Sequence, residues 1–400
     1  MRIVFFDIFI LLSVLSCIEC GKSYVIQPNK WDYRGHDIAF EVSHSRGDSD
    51  VSTIPSKKTP ILLLNGFGVG SFHQHRLIAE LVVSDKEESS NVDNPDDDNY
   101  QTVYCIDYLG QGSSWPRDCA DGLSENEKGL AYCAELWIDQ LATFIEQVVM
   151  PQHQGKKVHV VGNSVGGHLA AHLAYQRPDL VETICLLNPT PVWGLNLPGW
   201  SGHLPPPKVP RAIGRFLFDK IRELGTIEKY LDAAYTRKDA FDETLMNQIR
   251  ACTLGAGGHA AFASILWSKP LLVAGEKDFQ KCLAGVDCDV LLLFGKDDPW
   301  CKPAFAKKML QALNSRKNGK AQRYVEVENC GHCPNHEAPQ AVGSVVTKWV
   351  NSMYRDAKSV SLVRSEKEVF DEAWGATPIS ERQVEDIELS LLDRVAVTFV

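Results

Sequence analysis

Residues 158–174 read VHVVGNSVGGHLAAHLA: a short strand of the fully buried type, a turn over Gly162-Asn163-Ser164-Val165-Gly166, and a helix of small residues. A G-x-S-x-G turn between strand and helix forces its serine into strained geometry. The flanking glycines let the two elements approach, and the Ser164 hydroxyl is left at the helix N-terminus. Taken alone, the pentapeptide also describes an ordinary serine in a glycine-rich turn; its strand-turn-helix setting is what points to a nucleophile.

Outward from this turn, strand-type runs alternate with helical ones. A strand or hairpin is expected over 31–42, and PILLL (60–64) is a buried strand that opens into the glycine-rich NGFGVGS, followed by a helix over 73–83. TVYCID (102–107), TICLLN (183–188), VLLLFG (290–295) and YVEVEN (324–329) are further strands. Helices are expected over 126–150, where Leu130, Ala134, Trp137, Leu141, Ile145 and Val148 make one apolar face, over 165–175 and over 339–354. Strands separated by helices imply an α/β fold with a mostly parallel central sheet covered on both faces. The alternation breaks after 190: a Pro-, Trp- and Gly-rich stretch precedes several short helices over 211–267, which predicts a helical cap inserted between two strands. The expected division is a targeting segment over 1–20, the core over 21–190 and 286–354, the cap over 191–285, and an extension over 355–400 with no assigned structure.

Four hundred residues suffice for a large core, and 44% hydrophobic with 23% charged residues excludes collagen, wholesale disorder and a polytopic membrane protein. A net charge of -10 disfavours nucleic acid or an anionic bilayer as the main partner. Arg2 followed by an apolar run over 3–15, broken by Asp7 and Ser13, reads as a secretory-type entry signal, too short to span a bilayer. Residues 85–98 hold seven acids against one lysine and read as a solvated insertion. After Cys17 and Cys20, ten cysteines are scattered from Cys105 to Cys333; Cys119 with Cys133, and Cys282 with Cys288, are near enough in sequence to bridge, although spacing cannot assign pairs. Cys330-Gly331-His332-Cys333 resembles half a zinc site or a redox pair, but no second ligand pair accompanies it, so no metal is expected.

A serine nucleophile needs a base and an acid that orients the base, here in the chain order serine, acid, histidine. Gly295-Lys296-Asp297-Asp298-Pro299 places acids just after a buried strand, and His332 follows the last strand, so all three groups would emerge at the C-terminal edge of one sheet. Asp298, next to Pro299, is the expected acid with Asp297 in reserve; His332 is the expected base with His336 in reserve. Leu186-Leu187-Asn188 offers no carboxylate after its strand. Backbone amides of Val165 and Phe67 are the expected oxyanion donors. His73 and His75 lie just beyond that loop and read as packing or surface histidines, with His73 retained as a substrate contact; His168 and His172 read as structural.

These residues resemble the α/β-hydrolase superfamily, and LLLNGFGVGSFH (62–73), YLGQGSSWP (108–116), LLNPTPVWG (186–194), FGKDDPWCKP (294–303) and ENCGHCPNHEAP (328–339) are similar to pheophytinases and related chlorophyll-dephytylating hydrolases. The resemblance implies an α/β-hydrolase fold over roughly 31–354. It also implies carboxylic-ester hydrolysis that releases phytol from chlorophyll or pheophytin, with Ser164 as nucleophile, His332 as base and Asp298 as orienting acid. The expected partner is a lipophilic pigment ester, with peripheral contact to a pigment-bearing membrane, and no cofactor is needed. The cap aromatics Trp193, Trp200, Phe216, Phe218, Phe262 and Trp267 would shield an isoprenoid chain or macrocycle, or pack the cap itself. Alternatives are hydrolysis of another lipophilic ester or thioester, and a non-catalytic carrier. A secretory-type leader on a plastid-type enzyme suits an alga with a complex plastid; the endoplasmic reticulum and the exterior are the alternative destinations.

Overall fold

The computed structural model describes residues 24–44, 56–88, 101–115, 128–255, 258–273, 278–351, 361–363, 367–372 and 375–389. The expected targeting segment therefore lies outside the described residues. No helix among them is long and apolar enough to cross a membrane.

The chain enters as a hairpin, β1 (Val25–Tyr33) and β2 (His36–His44), whose two-residue turn places Arg34 and Gly35 at φ 52 and 82°. Two positive φ values in succession give the turn a twist that matches right-twisted strands. Then follow β3 (Ile61–Leu64), β4 (Thr102–Ile106), β5 (Val158–Asn163), β6 (Val181–Leu187), β7 (Asp289–Gly295) and β8 (Gln322–Val327). With β9 (Glu368–Glu372) and β10 (Gly375–Glu381), ten strands among the described residues form one sheet in the order β1-β2-β4-β3-β5-β6-β7-β8-β10-β9; β4 through β8 run parallel, and the outer pairs are antiparallel. The fold is therefore an α/β-hydrolase fold with a mostly parallel sheet. From β3 the chain crosses to β4 on one side and then to β5 on the other. A crevice opens where the winding reverses, at the C-terminal ends of β3 and β5.

Helices cover both faces. On one, α1 (His75–Glu88) and α11 (Pro339–Val350) pack over Ile61, Leu63, Val103, Val161, Leu291 and Leu293. On the other, α2 (Ala134–Phe144), α3 (Val165–Gln176), α8 (Phe279–Gly285) and α9 (Pro303–Asn314) cover Leu62, Leu64, Val160, Ile184, Leu186 and Leu292. Alternate residues of each strand thus belong to opposite cores. Between β6 and β7 the cap helices are α4 (Lys208–Ile221), α5 (Leu224–Ala234), α6 (Glu243–Ala251) and α7 (Gly258–Trp267).

Several boundaries differ from the sequence reading. The long helix starts at Ala134 and not at 126, because Gly129 turns at φ 82° and Ala131 is held in a bridge to His203. α1 continues to Glu88, into the acidic stretch; residues 89–100 are outside the described set. Helix α8, inside the span expected for the cap, packs on α3 and α9 of the core. The C-terminal extension is not apart from the fold: β9 (Glu368–Glu372) and β10 (Gly375–Glu381) form a hairpin that pairs with β8. Cys282 and Cys288 do not bridge. Both are buried free thiols, as are Cys330 and Cys333; Cys133 is free too, and Cys119 lies outside the described residues.

Candidate active site

β5 ends at Asn163 and α3 begins at Val165, with Ser164 between them at φ 54 and ψ -116°. A side chain in the left-handed region stores strain, and the surroundings must enforce it. They do so by close approach: a Cβ on Gly162 would lie 2.3 Å from the Gly166 carbonyl oxygen, and one on Gly166 would lie 2.4 Å from that of Leu64. Ser164 itself is only partly buried.

Asp298 and His332 arrive from the ends of β7 and β8. The His332 Nδ1 and the Asp298 Oδ2 are 2.6 Å apart, and both residues are buried. The other carboxylate oxygen, Oδ1, accepts from the backbone amides of Trp300 at 2.7 Å and Cys301 at 3.0 Å. Asp297 is exposed, and of the two acids it is Asp298 that meets His332. His336, the reserve base, is stacked on His73 with ring centroids 4.8 Å apart and faces the Tyr235 hydroxyl at 3.2 Å. The strand ends are tied together next to the serine: Asn163 Nδ2 donates to the His332 carbonyl at 2.9 Å and to that of Leu187 at 3.2 Å.

The loop after β3 closes the opposite wall. A Cβ on Gly66 would lie 3.6 Å from the Ser164 Cβ, so the Gly66-Phe67 backbone faces the serine. Val165 is the first residue of α3, and its amide has no intrahelical acceptor. The loop is anchored by Asp107, whose Oδ1 accepts from the Ser71 amide and hydroxyl, each at 2.7 Å; burial pushes this carboxyl up to about 6.

Two residues that the sequence did not reveal complete the frame. Asn188, at φ 42°, donates through Nδ2 to Asp298 Oδ2 at 2.7 Å and accepts at Oδ1 from the Gly295 amide at 2.8 Å. The sequence showed only that no acid follows β6; the amide that orients the acid occupies that place. Glu337, the last residue of the short helix α10 (Pro334–Glu337), is fully buried: Oε1 accepts from the amides of Gly331 and Cys333, and Oε2 from those of Thr236 and Arg237. It fastens the His332 loop to the cap at the end of α5, where the His332 amide also donates to the Ala234 carbonyl at 2.8 Å. Burial raises its carboxyl to about 7.

Phe67, Trp193 and Phe262 form an aromatic group beside this crevice, Phe67 lying 5.0 Å from Trp193 and 6.3 Å from Phe262 between ring centroids. The Trp193 indole N–H is buried with no acceptor. Trp200 and Trp267 instead pack on each other at 6.0 Å, each with its indole donating to a nearby backbone carbonyl. Phe218 packs on Phe262 at 5.6 Å, whereas Phe216 is exposed. His73 is buried under the cap with Nε2 at 2.8 Å from the Tyr235 hydroxyl; burial, Arg76 and His332 lower its pKa to about 3, so it is a neutral packing group. Asp298, Cys301 and His332 each bring one donor atom within 4.8 Å of the others, the only such group of three among the described residues. Each Asp298 oxygen already accepts two hydrogen bonds, and burial raises the Cys301 thiol far above its ordinary range, so these atoms make a poor metal cradle.

The profile of the "Alpha/beta hydrolase family" matches residues 61–345, well over half of the chain. A curated relative, "Pheophytinase, chloroplastic" of Arabidopsis thaliana, is 27% identical over 380 residues, covering 83% of this chain and 71% of its own. A second, the "Abhydrolase domain-containing protein abhd-5.2" of Caenorhabditis elegans, is 29% identical over 144 residues, 36% of this chain and 25% of that one. Among solved structures, a bacterial membrane phospholipase A superposes with a TM-score of 0.57 at 18% identity, covering 88% of this chain and 93% of its own. A putative lipase from Acinetobacter baumannii gives 0.56 at 17%, covering 85% and 95%. At such identities the structural matches speak for the fold alone. Sheet order, nucleophile-type turn and family profile agree: this chain belongs to the α/β hydrolase family, and it is an ester hydrolase.

Proposed function

We propose that the chain is a serine carboxylic-ester hydrolase that removes phytol from a chlorophyll-type pigment, yielding chlorophyllide or pheophorbide. The observation that carries the chemistry is a partly exposed serine in strained backbone at a helix N-terminus, whose neighbour Asn163 donates to the His332 carbonyl, together with a buried His332–Asp298 pair 2.6 Å apart. The pigment reading is supported by the likeness to the Arabidopsis pheophytinase over most of both chains. The same relative, chloroplastic by name, supports a plastid as the place of action.

In this mechanism His332 Nε2 takes the Ser164 proton as the hydroxyl oxygen attacks the ester carbonyl. Asp298 holds the other ring nitrogen protonated and stabilises the imidazolium that forms. The carbonyl oxygen gathers negative charge against the amides of Val165 and Phe67, where preorganised donors act most strongly. His332 then protonates the departing phytol oxygen, and a water activated by the same histidine releases the pigment acid from Ser164. Phe67, Trp193 and Phe262 line the lipophilic side of the crevice.

The test is to incubate the protein and its Ser164→Ala variant with chlorophyll a and pheophytin a and to separate the products by chromatography. Phytol release that depends on Ser164 is expected, and the ratio of the two rates assigns the preferred pigment. Turnover of simple aryl esters with neither pigment cleaved would keep the chemistry and refute the substrate. Absence of labelling by a fluorophosphonate probe would refute the nucleophile and leave a carrier.

A further inference from the structure

Helix α4 is packed on one side only. Pro210, Gly214 and Phe218 are buried, and Gly214 meets α7 so closely that a Cβ there would lie 2.5 Å from the Ala263 Cβ. The neighbouring strip of the same helix is apolar and faces solvent: Val209, Ile213, Phe216 and Leu217 are 68, 42, 63 and 37% exposed. Their spacing of i, i+4, i+7 and i+8 makes one contiguous stripe. Beside it lies a recess of about 540 Å³ bounded by Leu197, Pro198, Val209, Pro210, Ile213 and Trp267, so stripe and recess share two side chains. Single exposed apolar residues need no explanation, whereas a stripe continuous with an apolar recess marks a surface that something covers.

Charge identifies the occupant. The helix KVPRAIGRFLFDKI carries Lys208, Arg211, Arg215 and Lys220 against the single acid Asp219, in a chain whose net charge is -10. At about 100° per residue, Lys208, Arg211 and Arg215 lie on the solvent side across from the stripe, while Lys220, at its C-terminal end, pairs with Glu223 at 2.8 Å. A second copy docked stripe to stripe would leave Lys208, Arg211 and Arg215 facing away from the seam, with no part in it. A lipid surface with anionic headgroups suits both features: the stripe enters the acyl boundary, and the long cationic side chains reach the phosphates. The inner side of the helix is one aromatic layer from the site, since Phe218 packs on Phe262 and Phe262 on Phe67.

We propose that α4 and the recess beside it form a lipid-docking surface that seats the cap on an anionic bilayer, next to the crevice that receives the ester. The inference rests on the surface of the helix and not on which ester Ser164 cleaves, so vesicle binding and pigment hydrolysis fail separately. The full chain and its Ile213→Glu/Phe216→Glu variant are floated with phosphatidylcholine vesicles, with and without phosphatidylglycerol. Hydrogen exchange is followed in the bound state. Binding to the anionic vesicles that weakens with salt is expected, with slowed exchange confined to the α4 segment. The variant should bind at least tenfold more weakly while hydrolysing a soluble aryl ester at the wild-type rate. The proposal is overturned if the chain ignores both vesicles, if protection on binding appears elsewhere and not over α4, or if the variant binds as tightly as the wild type. It is also overturned if the wild type forms a dimer that the variant abolishes, which would make a second copy the occupant. Loss of aryl-ester turnover in the variant would call for the milder Phe216→Ser, read by the same flotation.

Discussion

Asn188→Ala separates the groups that hold Asp298. The substitution removes the donor 2.7 Å from Asp298 Oδ2 and the acceptor 2.8 Å from the Gly295 amide. A hydrogen bond to a charged group contributes roughly 1.5–3 kcal/mol, and a buried amide left without an acceptor costs roughly 1–3 kcal/mol. Alanine at φ 42° adds about 1 kcal/mol of backbone strain that asparagine tolerates better. Together these give about 4 kcal/mol. With an unfolding entropy of roughly 2.1 cal/mol/K per residue over 400 residues, Tm should fall by about 5 °C. Activity should fall less steeply. The Trp300 and Cys301 amides still fix Oδ1, so kcat/KM on an aryl ester should drop about tenfold, against a loss on the order of 10⁴ for Asp298→Ala. Calorimetry and steady-state kinetics on the three proteins test this. An Asn188→Ala chain with unchanged Tm would refute the reasoning about the frame. One as inactive as Asp298→Ala would show that the two backbone donors do not hold the carboxylate.

Glu337→Gln turns an NH₂ group toward backbone amides that need an acceptor; amide exchange over 328–337 should quicken and kcat/KM should fall, and unchanged exchange would remove Glu337 from the positioning of His332. Gly166→Ala would force a Cβ to within 2.4 Å of the Leu64 carbonyl, so the chain should be recovered in inclusion bodies or melt far below the wild type; a soluble protein with normal Tm would contradict the close packing of the turn. Acidification should destabilise the fold. His73 and His168, near 3, His153 and His172, near 4, and His336, well below the ordinary histidine range, are all depressed by burial, so the unfolded chain takes up their protons as pH falls below about 6.5. Asp107, raised to about 6, and Glu337 and Glu372, raised to about 7, act oppositely, since their protonation favours the folded chain as pH falls through those values; His75, raised by Glu41, does the same. The histidines prevail, by roughly one to two protons near pH 5.5. Urea unfolding should show stability falling by about 2 kcal/mol per pH unit there, and a flat or rising profile on acidification would sink the assignment of neutral buried histidines.

The parts of the molecule legible in the sequence are those whose cause is local. PILLL and VLLLFG are buried on both faces, so their composition alone announces a covered parallel strand, and the glycines at 162 and 166 announce a turn that tolerates no Cβ. Order along the chain then placed Ser164, Asp298 and His332 at one sheet edge. Asn188 and Glu337 were not legible, because their roles come from partners more than a hundred residues away in sequence or from carboxyl contacts with backbone amides, which leave no side-chain pattern. His73 invited a functional reading that its burial against Tyr235 and His336 removes. The C-terminal strands escaped for another reason. GATPISE alternates weakly and carries a proline that pairs with Val369 of the outermost strand, so its membership of the sheet depends on β8 waiting with an unpaired edge.

That hairpin alters what counts as the end of the enzyme. β8 delivers the His332 loop, and its far edge is covered by β10, where Ile379 and Thr377 are fully buried and the Arg237 guanidinium reaches Thr377 from the cap segment after α5 while also donating to the Asn329 carbonyl at 2.9 Å. A chain cut after α11, where the alternation of strands and helices stops, would keep every residue of the site and still expose a bare β-edge beside the histidine loop. Bare edges recruit other edges. β9 and β10 are in this sense the selvedge of the sheet, and their removal would turn an enzyme into a template for its own aggregation.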